Sequence, residues 1–146
     1  MAQNILLVKV TMADSFGRVE GVVSRTFRMP GDTTLYSFAE AIMDSVGFHF
    51  DHPFGFYDAP RYTAAEEGYE LFTDMGMDSK YDSVEETKVE DVYDRKGKKM
   101  LYLFDYGDEW RFVTELLEVE ETDSLDDEIA IVREVGIPPE QYQPLK

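Results

Sequence analysis

"SRTFRMPGDTTLYSFAEAIMDSVGF", residues 24–48, changes its hydrophobic period part-way through, and that change sets the fold class. Up to Pro30 the stretch is β-branched and aromatic, as a strand is. Beyond it, Leu35, Phe38, Ala39, Ile42, Met43 and Val46 recur at 3, 4, 7, 8 and 11 residues from the first, which is one apolar stripe of an α-helix. Asp32 or Thr33 can cap that helix, because their side-chain oxygens accept from the free N–H groups of its first turn. Gly47 can end it, since glycine takes the left-handed cap conformation without strain. A single apolar stripe needs a surface to cover, so it must lie on a sheet.

The sheet is written on both sides of this stretch. In Ile5–Met12, Leu6, Val8, Val10 and Met12 share one face and Lys9 and Thr11 the other. A strand over Val22–Met29 follows, with Asp14-Ser15-Phe16-Gly17 supplying the connection of a hairpin. Arg25 is in phase with Val23, Phe27 and Met29, which leaves the inward face of this second strand open. Residues 98–119 form another strong β pattern. Leu101 and Leu103 alternate with Tyr102 and Phe104, and Trp110, Phe112, Thr114 and Leu116 alternate with Arg111, Val113 and Glu115. Gly107 is the expected residue of positive φ in the turn, with Asp105 and Asp108 accepting from nearby backbone N–H groups. Residues 125–135 are ambiguous. Ser124 and Asp127 resemble a helix capping box, whereas IAIV reads equally well as a strand.

Composition narrows the function classes. The chain has 146 residues, 43% of them hydrophobic and 14% aromatic, the profile of one folded domain spanning 1–146. It has no cysteine, which removes disulfides, thiolate zinc sites and thiol nucleophiles. The N-terminus lacks the pattern of a signal peptide, and no apolar run approaches the ~18 residues of a membrane span. A cytoplasmic protein without membrane contact is expected.

The net charge is −17, and its distribution is uneven. Residues 66–94 carry eleven acids and two bases, residues 115–128 carry eight acids and no base, and the remainder is neutral. Such a surface repels phosphate backbones, so direct nucleic-acid binding is not expected. It is either a solvated face or one that docks a basic protein partner. Within residues 64–94 the acids at 66, 70, 74, 78, 82, 86, 90 and 94 would stack on one side of a continuous helix, and Gly68 and Gly76 weaken such a helix further. The segment reads as an acidic, loop-rich insertion with one short strand near Tyr69–Phe72, and as the most mobile part of the chain. Its acids lack the ligand order of a calcium-binding EF-hand loop.

Two stretches carry candidate chemistry. FHFDHPFGFYDAP holds both histidines, His49 and His52, around Asp51, two imidazoles and a carboxylate of the kind that ligate a divalent metal. Pro53 and the aromatic run read as a strand entrance, however, which favours a structural or hydrogen-bonding role. LFDYGDEW gathers Asp105, Asp108 and Glu109 beside the only tryptophan, Trp110. An isolated Trp on an alternating strand is expected to be a buried anchor against the helix.

Taken together, SRTFRMPGDTTLYSFAEAIMDSVGF, HPFGF, FDYGDEW and, more weakly, GIPPEQY resemble the plasmid pRiA4b ORF-3-like proteins, also known as insertion-sequence passengers, TnpR-like. The last three are similar to that family's His-Leu-x-x-Phe strand, its Tyr-Asp-Phe-Gly-Asp-x-Trp signature and its Gly-x-x-Pro-Pro-Glu tail. The resemblance covers most of the chain outside the acidic insertion. It implies an α+β fold with an N-terminal β-hairpin, one amphipathic helix packed on a largely antiparallel sheet, and a C-terminal hairpin. It also implies that His52, Asp105, Asp108 and Trp110 form whatever site there is, without naming a catalytic residue, a metal or a cofactor. Many relatives carry His two residues after the signature Trp. Phe112 stands there in this chain, so no acid–base or metal role transfers to that position. Two readings follow: a non-catalytic acidic interaction module, or a ligand-binding or enzymatic pocket lined by His52, Asp105 and Asp108.

Overall fold

The computed structural model describes residues 3–123 and 128–142. They form an α+β fold in which one sheet of eight strands carries a helix on one face. In chain order the elements are β1 (Gln3–Met12), β2 (Ser24–Pro30), α1 (Leu35–Ser45), β3 (Phe54–Tyr57), β4 (Gly68–Glu70), α2 (Leu71–Asp74), β5 (Asp82–Ser83), α3 (Val89–Val92), β6 (Lys99–Phe104), β7 (Trp110–Thr122) and β8 (Ala130–Val135). A 3₁₀ turn at Tyr62–Ala64 lies between β3 and β4. The strand order is β5-β4-β3-β6-β7-β1-β2-β8, and every neighbouring pair is antiparallel except β4 and β5.

The expected alternation is the one observed. Leu6, Val8, Val10 and Met12 are buried under α1 and Lys9 is exposed on the other face. Phe38 of α1 sits at the centre of this core, edge-on to Phe27 of β2 (5.7 Å) and to Tyr93 (6.2 Å) and stacked on Phe56 of β3 (5.9 Å). The helix cap is Thr34, one residue beyond the expected pair. Its hydroxyl accepts from the Ser37 N–H at 3.1 Å, and Gly47 follows the helix at φ 74°. Asp32 and Thr33 precede the cap, because the chain first turns out of β2 at Pro30.

Arg25 points inward and is buried. Its guanidinium donates to the backbone carbonyls of Ser24 (2.8 Å), Ser45 (3.1 Å) and Val135 (2.9 Å), so one cation ties β2 to the last turn of α1 and to β8. Carbonyl dipoles at a helix C-terminus favour a cation there, which is how the charge tolerates burial. Residues 130–135 are therefore a strand, one of the two forms that the sequence leaves open. The Ser124–Asp127 capping box lies outside the described residues. Just past β8, Gly136 has φ 81°, and a Cβ there would stand 1.9 Å from the Val22 carbonyl oxygen.

The acidic insertion departs from the expectation of loops around a single short strand. It contains β4, α2, β5 and α3, and it buries Val84, Val89, Val92 and Tyr93 in the main core. The cause is the start of α1. The first-turn N–H groups of a helix have no intrahelical acceptors. Here Leu35 N–H donates to the Thr87 carbonyl (2.9 Å) and Tyr36 N–H to the Val84 carbonyl (3.0 Å), while Val89 N–H returns a bond to the Thr33 carbonyl (2.8 Å). The Tyr93 hydroxyl lies 2.5 Å from that of Thr114, which donates to the Met100 carbonyl. Most of the segment's charge therefore stays at its rim while its apolar residues complete the core.

These bonds make a prediction opposite to the mobile insertion inferred from the sequence. The amides of Val89 and Tyr93 should exchange with solvent as slowly, within about tenfold, as those of Phe38–Ile42, since all depend on opening the same core. Exchange followed by NMR checks this. Protection at Val89 and Tyr93 falling to loop levels would show that the segment opens independently.

Candidate functional site

The turn between β6 and β7 is built on Asp105. Its side chain accepts from the Gly107 N–H (3.1 Å) and the Asp108 N–H (3.2 Å), and its carbonyl accepts from the Glu109 N–H (2.6 Å). Positive φ falls at Asp105 (65°) and Glu109 (52°), not at Gly107 as expected. Aspartate tolerates the left-handed region when its short side chain bonds locally, which is the arrangement seen. Asp108, expected to share the capping role, is exposed, and the bonds that hold the turn go to Asp105.

The other face of Asp105 meets His52. The imidazole Nε2 lies 3.4 Å from Asp105 Oδ2 and 3.6 Å from Asp51 Oδ1, and the ring stands edge-on to Phe104 at 6.0 Å. The C-terminal segment joins them. The Tyr142 hydroxyl donates to Asp51 Oδ2 (2.5 Å) and sits 3.4 Å from His52 Nε2. Gln141, itself buried, accepts from the His49 N–H (2.6 Å) and donates to the His49 carbonyl (3.1 Å) and to Asp51 (3.2 Å). The Tyr142 hydroxyl, followed by His52 and Gln141, holds the Asp51 carboxyl below its ordinary value. The same bond, read from the other side, pushes the Tyr142 phenol up to about 12.

His52 and Asp105 thus converge, while Asp108 adds a negative charge near Tyr142 and stays outside the contact. The place expected for Asp108 is taken by Asp51, with Tyr142 beside it. The cluster is open, the side chains of His52 and Asp51 being 36% and 44% exposed. Among the described residues, no three His, Asp or Glu side chains are placed to hold a metal ion.

Trp110 is fully buried, as expected of an anchor. It packs edge-on against Phe48, just past the end of α1, at 4.9 Å. The Arg18 guanidinium covers its other side, 3.6 Å from the ring centroid. Asp14 fixes that guanidinium through a 2.8 Å ion pair. Burial pushes the Asp14 carboxyl up, but the Arg18 side chain and the Arg18 and Phe16 N–H groups outweigh it and hold the group below its ordinary 3.8.

A second polar cluster escaped the sequence reading. On the sheet face away from α1, the Tyr57 hydroxyl donates to Glu70 (2.5 Å) and lies 2.5 Å from the Tyr106 hydroxyl, while Ser79 donates to the other Glu70 oxygen (2.6 Å). Glu70 is one of eight acids spaced four apart, and nothing in that spacing marks it as buried. Gln141 and Tyr142 were signalled only as part of the GIPPEQY tail.

The family model described as plasmid pRiA4b ORF-3-like protein matches residues 4–143. The chain belongs to that family. No functionally curated protein matches it. Among solved structures, this pRiA4b ORF-3-like chain is similar to a protein of unknown function, MM3350, from Methanosarcina mazei Go1. The TM-score is 0.71 at 16% sequence identity, over 93% of this chain and 73% of that one. That likeness carries the fold, and neither comparison brings an activity with it. His52, Asp105 and Trp110 are the matched motif residues that the fold brings to one end of the β6–β7 hairpin.

Two predictions concern this end of the hairpin. Asp105→Ala should destabilise the protein by ~0.5–2 kcal/mol, the cost of a lost side-chain cap, whereas Asp108→Ala should stay within about 0.5 kcal/mol. Trp110→Ala should cost ~3–5 kcal/mol. Urea denaturation of the three variants tests the order.

The second prediction concerns pH. Because the folded-state pKa of Asp14 is depressed, its contribution is complete above about 3.8 and is lost as pH falls through the lower folded value. Asp14→Asn should therefore be less stable than the parent by about 1–3 kcal/mol at pH 7, with the gap narrowing as pH falls below the ordinary carboxylate value of 3.8. A gap independent of pH, in denaturation curves taken from pH 2.5 to 7, would contradict the role given to the carboxylate.

Proposed function

We propose that this protein is a non-catalytic interaction module that receives a Lys/Arg-rich segment of a protein partner. The observation that carries the reading is a groove of about 810 Å³ along α1, lined by Asp32, Glu40, Asp44 and Glu128 and by no lysine or arginine. Thr33, Thr34 and Ser37 add hydroxyls that can accept from ammonium or guanidinium donors. The groove faces outward from the helix whose opposite side is the core, so a partner can dock there without disturbing Leu35, Phe38 or Ile42. A chain of net charge −17 steers a cationic partner toward itself and repels nucleic-acid phosphates.

The second reading, a small ligand or metal held at His52 and Asp105, draws support from their 3.4 Å approach. The openness of that cluster and the exposure of Asp108 weigh against it.

A labelled, Lys/Arg-rich peptide titrated by fluorescence anisotropy separates the two. Binding should weaken steeply between about 50 and 300 mM salt. The double reversal Glu40→Lys, Asp44→Lys should lower affinity roughly tenfold or more, and His52→Ala should leave it unchanged. Equal affinity for an acidic peptide of the same length would sink the proposal. So would loss of binding through His52→Ala and not through the reversal.

A further inference from the structure

The sheet face turned away from α1 carries a groove of about 430 Å³ that differs in kind from the acidic one. Its floor is Leu101 and Val113, paired across β6 and β7, and its walls are Ala13 on one side and Ala59 and Pro60 on the other. Arg111 holds the outer wall in place by donating to the Pro60 carbonyl at 2.7 Å. Lys99 closes one end. It is exposed, and among the described residues its ammonium has no hydrogen-bond or ion-pair partner. The carboxylate of Asp58, the remaining charge in the lining, is turned to the Glu66 N–H at 3.0 Å. The Arg111 guanidinium is paired with Glu109 at 2.8 Å, so Lys99 is the cation of the lining that has no carboxylate partner among the described residues.

We infer that this groove binds a small amphipathic anion, an aliphatic body with one carboxylate, with the body on Leu101 and Val113 and the head at Lys99. An apolar cavity of this volume with a few polar groups at its edge is the usual form of a small-ligand site. Val113, 37% exposed, supplies apolar surface that the fold leaves uncovered. Polyanions are excluded by the acidic remainder of the surface, so the ligand carries one charge and draws its affinity from apolar burial. The site lies across the sheet from the α1 groove and does not depend on the peptide-binding reading.

The test is an NMR shift titration of the intact chain with octanoate, 1-octanol and octylammonium. Octanoate should bind saturably below its micellar concentration, moving the amides of Ala59, Leu101 and Val113, and the affinities should run octanoate, octanol, octylammonium. Lys99→Gln should weaken octanoate by roughly 2- to 5-fold, the range of an exposed ion pair, and leave octanol unchanged. Val113→Asp places a charge on the floor and should weaken both ligands at least 5-fold, while an unchanged spectrum of the α1 core shows that the fold is intact. Absence of saturation, shifts centred elsewhere, equal binding of octylammonium, or indifference of octanoate to Lys99→Gln would each overturn the assignment.

Discussion

The antiparallel ladder between β1 and β7 is the interaction on which the remaining structure depends. It runs from Gln3↔Thr122 to Met12↔Phe112 and joins the first strand of the chain to one that lies more than a hundred residues later. Closing so long a loop costs conformational entropy before any contact repays it. The return comes from the face that Leu6, Val8, Val10 and Met12 share with Phe112 and Leu116, all buried beneath α1. A bulge between Leu7 and Val8 leaves Leu117 as an extra residue on β7 and resets the phase of the strand beyond it. Once this ladder exists, β2 and β8 extend it on one side and β6, β3, β4 and β5 on the other.

A chain with 31 acids has to place them where water screens them or donors satisfy them. Both solutions are present. Most acids of the insertion sit at its rim, while its valines and Tyr93 complete the core and its carbonyls receive the first N–H groups of α1. The acids that do turn inward are bonded: Glu70 to Tyr57 and Ser79, Asp74 to Ser83 and the Val84 N–H, and Asp14 to Arg18. The last pair stabilises the fold through its neighbour, because the guanidinium it fixes is the cover over Trp110. Charge unsuited to a core is thus used at its boundary.

The motif end of the hairpin shows how structural and functional constraints coincide in one turn. Asp105 uses one carboxylate oxygen to build the turn and directs the other at His52. The tail reaches the same place through Gln141 and Tyr142, so the ends of three separate chain segments meet over a few ångströms. Such an arrangement accounts for FDYGDEW, HPFGF and GIPPEQY occurring in one chain without requiring chemistry from any of them.

Local pattern alone determined a good deal. The stripe of α1, the alternation along β1, β6 and β7, the burial of Trp110 and the α+β class all follow from periods of 3.6 and 2, which need no partner to be recognised. What a neighbour supplies could not be read that way. The inward turn of Arg25, the strand at 130–135, the burial of Glu70 and the approach of His52 to Asp105 each depend on groups distant in sequence. In every case a polar or ambiguous residue found its acceptor, donor or edge across the fold, and only the tertiary structure determines which of these partners is within reach.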